Sequence, residues 1–196
     1  MKSYESLPDG YREIYSINLQ SDKKTALFIN VAAASVGVLM ALIAHFAVCP
    51  ISMLFDMKDG IGNYFLRFGV LIVGEILYII LHELTHGVAM KICGTKKVKY
   101  GFTGLYAFAG SDDFYTRGAY IFIALAPVVL FGVIFVIACA FFDGAWFWVL
   151  FFLQITNISG AAGDAFVTVR FMLFPRDILV SDNGVGMNVY SKKKDV

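Results

Sequence analysis

Two histidines and a glutamate lie within five residues of one another late in the second apolar segment, in the sequence H-E-L-T-H. On a helix, His82 and His86 project from one face, because residues four apart are neighbours there. Two such imidazoles can bind one zinc ion, and the intervening Glu83 can act as general base on the metal-bound water. The chain has only 3 His, so this spacing favours a zinc site over two histidines that merely hydrogen-bond within a helix bundle.

A catalytic zinc site needs a third protein ligand and an open position for water. Glu83 is the last glutamate of the chain and His86 is the last histidine. Zincin patterns that take a downstream Glu or His are therefore excluded. The remaining candidates are an aspartate, or the upstream residues His45 and Glu75.

Depth in the membrane selects Asp164 among the aspartates, since it is the only one inside a predicted span. Counting from the start of its span, and from the basic residues that follow, places it at a depth similar to that of His82. The sequence therefore predicts His82, His86 and Asp164 as metal ligands. The alternative for Asp164 is a carboxylate paired with Arg170 or with a helix terminus.

Three further polar residues lie inside the spans. Asn157 is seven residues before Asp164, on the same helix face, and could donate a hydrogen bond to a developing oxyanion as a catalytic residue; an interhelical hydrogen bond is equally compatible with its position. Glu75 lies seven residues before His82 and could be protonated, orient His82 or a water chain, or bond a neighbouring helix. His45 suits a packed, hydrogen-bonded role better than that of a proton carrier or metal-site partner.

Four apolar segments must position these side chains. The chain is 59% hydrophobic and 16% charged, with a mean hydropathy of +0.72, which excludes a water-soluble single domain and intrinsic disorder. We expect an all-α membrane protein of four transmembrane helices with short cytoplasmic β segments. The predicted domains are a cytoplasmic N-terminal arm (1–25), a four-span domain (26–173) and a cytoplasmic C-terminal arm (174–196). The predicted spans are 26–48, 64–92, 119–142 with Pro127 inside, and 145–173.

The distribution of charge predicts an orientation. Of 16 Lys and Arg, all but Lys58 and Arg67 fall on one side of the four spans, so the termini and the second loop are expected to be cytoplasmic. A net charge of +1 argues against nucleic acid as a partner. The 3 Cys are too widely spaced to indicate disulfides or a thiolate site, and the polar N-terminus is unlike a signal peptide. Residues 11–19, 98–108 and 178–190 are expected to form short strands.

The H-E-L-T-H motif and the distal segment from Asn157 to Asp164 resemble the site-2 protease type of intramembrane zinc metalloprotease. That pattern implies an aspartate as third ligand, although the proline and the Leu-Asp-Gly of the family are absent here. The closer resemblance, over nearly the whole chain, is to the putative zincin peptidases, small bacterial four-span proteins. The residues that carry it are Leu7-Pro-Asp-Gly-Tyr11, H-E-L-T-H-G, Ala126-Pro127, Ser159…Gly163-Asp164 and Asp182…Tyr190.

The leading hypothesis is a Zn²⁺-dependent endopeptidase of the bacterial inner membrane, both termini cytoplasmic. It would cleave a membrane protein or peptide within or beside its transmembrane segment, near the cytoplasmic face. The alternative is a non-hydrolytic membrane protein with a structural or regulatory zinc site. A third and weaker hypothesis is metal transport. It would need a path of polar residues through the bilayer, and the sequence has only a few polar residues inside the spans.

Overall fold

The computed structural model describes residues 2–18, 21–104, 106–184 and 186–192. Parts of four expectations lie outside the described residues: the end of the first predicted strand, one residue of the predicted hairpin, one residue of the segment 178–190, and the end of the basic tail. These residues are Leu19, Leu105, Val185, Lys193 and Lys194.

The helices agree with the four predicted spans. Among the described residues, three single helices and one interrupted segment are long and apolar enough to cross a membrane. A short 3₁₀ helix covers Ile51–Phe55. The α-helices are α1 (Lys23–Ala47), α2 (Ile61–Ile92), α3 (Arg117–Cys139), α4 (Gly144–Gly160) and α5 (Ala162–Leu173).

The fourth predicted span is two helices rather than one. α4 ends at Gly160, and Ala161 leaves the helical conformation with φ −81° and ψ 15° before α5 begins. Gly160 and Gly163 flank this break. Glycine is a poor helix former because it loses more backbone entropy on folding than any other residue does. The interruption places Asp164 in the first turn of α5, where the helix dipole stabilises a negative charge.

Helix α2 carries the H-E-x-x-H motif close to its C-terminal end. The helix ends at Ile92. Two residues later, Gly94 has a φ of +109°, which suits glycine, and the Thr95 N–H donates to the Met90 carbonyl at 3.1 Å. Its 32 residues span about 48 Å, more than the roughly 30 Å of a bilayer core. The motif therefore lies within three turns of the end of a helix longer than the bilayer requires.

A five-stranded antiparallel sheet makes the expected all-α class inexact, although short β segments were expected beside the four helices. The structure is 61% helical, but the two terminal arms pair with the segment before α3. The strands are β1 (Ser3–Tyr4), β2 (Arg12–Ile17), β5 (Phe114–Thr116), β6 (Leu179–Asp182) and β7 (Met187–Ser191), in the order β1-β5-β6-β7-β2. The backbone N–H and C=O groups of these polar arms need hydrogen-bond partners, and the two arms provide them for each other.

A separate hairpin pairs β3 (Lys99–Phe102) with β4 (Ala107–Gly110). The strands expected within 11–19, 98–108 and 178–190 are thus confirmed in the described residues. β1 and β5 were not predicted, because runs of two and three residues are too short to show alternation.

The chain divides into two compact units. One comprises Met1–Ile29, Leu81–Pro127 and Gly163–Val196, and the other Asn30–Ile80 and Val128–Ala162. The core of the first unit packs both helices and strands, with Tyr115, Phe171 and Val180 all fully buried. The core of the second centres on the fully buried Trp148, whose indole N–H donates to the Cys49 carbonyl at 3.1 Å.

Candidate metal centre

Three side chains meet in the first unit. His82 and His86 of α2 face each other with their Nε2 atoms 3.1 Å apart. Asp164 Oδ2, from the first turn of α5, lies 3.6 Å from His82 Nε2 and 3.7 Å from His86 Nε2. Within the part of the chain that the structure describes, these three residues form the one group of His, Cys, Asp or Glu that could hold a metal ion.

The triangle fits zinc. Four ligands at about 2.0–2.1 Å in a tetrahedron lie roughly 3.3 Å apart, close to the three observed separations of 3.1, 3.6 and 3.7 Å. Two imidazoles and one carboxylate also form a donor set that zinc prefers. The three residues present therefore suit a zinc ion with one coordination position left open.

A backbone contact orients one of the imidazoles. The carbonyl oxygen of Ile123, in α3, lies 2.9 Å from Nδ1 of His86. A carbonyl can only accept a hydrogen bond, so Nδ1 is the donor in this contact, which leaves Nε2 as the ring nitrogen available to a metal. His86 is thereby held with Nε2 directed toward His82 and Asp164, an arrangement common among histidines that bind metals.

Glu83 lies beside the β3–β4 hairpin. The backbone N–H of Ala109, in β4, is close to the Glu83 carboxylate. Thr103 N–H donates to the Tyr106 carbonyl at 3.0 Å at the turn, and alternation along β4 then directs the N–H groups of Ala107 and Ala109 away from β3. The outer edge of β4 therefore faces the candidate general base.

A buried pair that sequence analysis missed joins the C-terminal arm to α3. The Tyr120 hydroxyl donates to Oδ2 of Asp182, and the Gly184 N–H donates to Oδ1 at 2.8 Å. Burial raises the pKa of the Asp182 carboxyl above its ordinary value, while these two hydrogen bonds act against the rise. The Asp182 carbonyl also accepts the Ser111 N–H at 2.8 Å, which fixes the end of the hairpin that reaches Glu83.

Asn157 lies in the second unit with both ends of its amide bonded. Its Oδ1 accepts from the Tyr78 hydroxyl at 3.1 Å. Its Nδ2 donates to the Val128 carbonyl at 3.1 Å and to Oε1 of Gln154 at 3.5 Å. The side chain is fully buried, and its contacts link α4 to α2 and α3.

The other intramembrane candidates also have partners in the second unit. Glu75 Oε1 accepts from the Thr156 hydroxyl at 3.0 Å, which joins α2 to α4. His45 Nδ1 accepts the Ile51 N–H at 2.9 Å, which caps the 3₁₀ helix. Both side chains therefore make the structural contacts that sequence analysis allowed.

Two sequence signals could have pointed to the missed backbone partners. A proline at 127 within a span leaves the carbonyl four residues earlier without its helical donor. The glycine directly after the second histidine indicates a close approach to α2, which the hairpin in fact makes. No local pattern signals the Tyr120–Asp182 pair, since its members are 62 residues apart.

Comparison with known protein families gives one match. The profile of a family described as putative zincin peptidase matches residues 75–179. The matched region contains the H-E-x-x-H motif, the β3–β4 hairpin, α3 and Asp164. Neither the curated proteins nor the solved structures include a match to this chain.

Proposed function

The chain belongs to the putative zincin peptidase family, and from this premise we propose that it is a zinc-dependent intramembrane endopeptidase. It would hydrolyse peptide bonds in or near a substrate's transmembrane segment, close to the cytoplasmic face. The observation that carries the proposal is the triangle of His82, His86 and Asp164 beside Glu83. Family membership suggests a zinc metallopeptidase, and four helices long and apolar enough to cross a membrane suggest a multi-pass protein.

In this mechanism His82, His86 and Asp164 hold the ion. Zinc bound there would supply Lewis acidity that polarises the scissile carbonyl and acidifies water. Glu83 takes a proton from the attacking water and passes it to the nitrogen of the leaving amine as the C–N bond breaks. The Ala109 N–H lies beside the Glu83 carboxylate, and the Ile123 carbonyl orients the ring of His86.

The β3–β4 hairpin would present the substrate to this centre. A helical substrate hides its peptide bonds, so the scissile segment must be extended. The outward-facing N–H of Ala107 lies one strand repeat, about 6.7 Å, from that of Ala109. A substrate strand added along this edge of β4 would place its carbonyls beside Glu83, in line with the site-2 protease resemblance.

The proposed location is the bacterial inner membrane with both termini cytoplasmic. A matched pair of single-cysteine variants, Lys58→Cys and Lys97→Cys, tests it in a background without the native cysteines. Both lysines are exposed. We expect a membrane-impermeant maleimide to label position 58 in spheroplasts and position 97 only after lysis; the reverse pattern would invert the orientation.

Catalysis is tested with Glu83→Gln and the control Glu75→Gln, another carboxylate of α2. Zinc content is measured on purified protein, and new N-termini are enriched from membranes of cells that express each form. We expect Glu83→Gln to retain zinc and to lose fragments cut in or beside transmembrane segments, while Glu75→Gln retains them. If zinc-loaded Glu83→Gln yields the same fragments as wild type, the mechanism is wrong.

The alternative function, a structural or regulatory zinc site, is favoured by the low exposure of the ligands. The side chains of His82 and His86 are 12% and 11% exposed, which is compatible with a closed site. A closed site has no exchangeable fourth position. A hydroxamate that perturbs the visible spectrum of the Co²⁺-substituted protein would favour catalysis, and an inert spectrum would favour the alternative.

A further inference from the structure

Pro127 lies inside α3, in the middle of a membrane-spanning segment. It is almost completely buried. Proline has no backbone N–H, so it cannot donate the helical hydrogen bond that residue 127 would make to the carbonyl of residue 123. The carbonyl of Ile123 is therefore released from its usual helical donor.

The Ile123 carbonyl is the group that accepts from His86 Nδ1, at 2.9 Å. A backbone carbonyl without a partner is costly inside a bilayer, and prolines are tolerated there where a neighbouring helix supplies a donor. α2 supplies that donor with an imidazole N–H. One hydrogen bond therefore has two effects. It gives the Ile123 carbonyl a donor in place of the missing N–H of Pro127, and it fixes the orientation of the His86 ring.

We propose that Pro127 is a positioning residue of the metal centre, acting through the Ile123 carbonyl on the tautomer of His86. With Nδ1 as the donor, Nε2 of His86 is the nitrogen on the side of the other two ligands, 3.1 Å from His82 Nε2 and 3.7 Å from Asp164 Oδ2. This inference rests on the proposed zinc binding but not on peptidase activity. It concerns how the empty protein is prepared for a metal.

Any other residue at position 127 would bring back the N–H. That N–H would compete with His86 for the Ile123 oxygen, and the imidazole would lose part of the constraint on its ring. Partners of metal-binding histidines typically change metal affinity by about 10–100-fold when removed. A helix with a restored hydrogen bond should not be less stable, so weaker zinc binding and lower stability are separable effects.

The test uses Pro127→Ala and a second variant with lactic acid, the ester analogue of alanine, at position 127. The two differ only in the N–H, which the ester lacks. Pro175→Ala, at a proline outside the helices, is the control. Two quantities are measured on purified protein: the tautomer of ¹⁵N-labelled His86 without metal, and the zinc dissociation constant by chelator competition.

We expect metal-free wild type to carry the His86 proton on Nδ1. Pro127→Ala should shift it toward Nε2 and weaken zinc binding about 10–100-fold, with thermal stability not lowered. The ester variant and Pro175→Ala should behave as wild type. An Nε2-protonated ring in metal-free wild type overturns the proposal, and so does equal loss of zinc affinity in the alanine and ester variants.

These readouts separate this inference from the proposed function. If the protein binds zinc but cleaves nothing, both measurements retain their meaning and peptidase activity alone is refuted. If wild type binds no zinc, the tautomer still reports whether Pro127 controls the His86 ring. If Pro127→Ala does not fold, the inference is still falsifiable, because neither wild type nor the ester variant has an N–H at position 127 and a shifted tautomer in the ester variant would overturn it.

Discussion

The hydroxyl of Tyr100 lies where a side chain on Gly87 would be: a Cβ built on Gly87 would overlap the phenol. Gly87 directly follows the second histidine of the motif, and Tyr100 lies in β3. The hairpin therefore rests on α2 beside the metal centre. Ala109 is the partner of Tyr100 across the hairpin, so the same contact brings the Ala109 N–H to Glu83.

Replacing Gly87 with alanine should displace the hairpin. The added methyl must push the Tyr100 ring aside. Because this side chain is 48% exposed and can move, the loss of unfolding free energy should be smaller than the about 1–3 kcal/mol of overpacking in a closed core. We also expect Gly87→Ala to lower peptidase activity, because Ala109 moves with the hairpin. Stability is measured by thermal unfolding in detergent, and activity by the appearance of new N-termini.

Gly69→Ala is the matched control in the same helix, since a Cβ on Gly69 meets nothing within 4 Å. It should leave stability unchanged or raise it by up to about 1 kcal/mol. Adding Tyr100→Ala to Gly87→Ala should cost less than the two single changes together, with a coupling of about 0.5–3 kcal/mol. Strict additivity would show that the two residues do not interact.

Asp164→Ala should remove the third ligand and with it most bound zinc. The loss should exceed the about 10–100-fold expected for a residue that only orients a ligand. Zinc content and affinity are measured on purified protein. The control is Asp112→Ala, an exposed carboxylate bonded to Lys99 Nζ at 2.7 and 2.8 Å. Unchanged zinc in Asp164→Ala would exclude Asp164 as a ligand.

Asn157→Ala should destabilise the protein without weakening zinc binding. It removes the hydrogen bonds that the Tyr78 hydroxyl and the Val128 carbonyl make with this amide, at about 0.5–1.5 kcal/mol for each bond. Tyr78→Phe, which removes only one of these bonds, should cost less. Thermal unfolding and zinc titration provide the measurements. A stable Asn157→Ala variant with greatly reduced turnover would instead support the oxyanion role.

Asp182 should make stability depend on pH. Because burial raises its pKa in the folded protein, the native state holds the proton more tightly than the unfolded state does. This stabilisation is complete below the ordinary aspartate pKa and is lost as pH rises through the raised value. Unfolding free energy in wild type, relative to Asp182→Asn, should therefore fall with increasing pH over this range.

Tyr120→Phe gives the matched comparison for Asp182. The Tyr120 hydrogen bond lowers the Asp182 pKa, so its removal should extend the pH-dependent range to higher pH. Unfolding midpoints measured across the acidic range provide the test. A difference between wild type and Asp182→Asn that does not vary with pH would contradict the expected proton uptake.

Much of the candidate centre could be predicted from the chain alone. The four-residue spacing of His82 and His86 determines that they share a helix face, because helix geometry is local. The selection of Asp164 needed only span lengths and the one-sided distribution of Lys and Arg. Both inferences depend on distances along the sequence, and the structure brings these three residues together.

Tertiary structure alone decided the hydrogen-bond partners that lie far apart in the chain. The Ile123 carbonyl at His86, the Ala109 N–H at Glu83 and the tail carboxylate of Asp182 at Tyr120 all come from elements packed side by side. The same is true of the sheet that joins the two terminal arms. The periodicity of the sequence indicates which face of a helix or strand is apolar. A buried donor or acceptor, however, bonds to a group that packing brings within about 3 Å. Only the assembled fold determines the identity of that group.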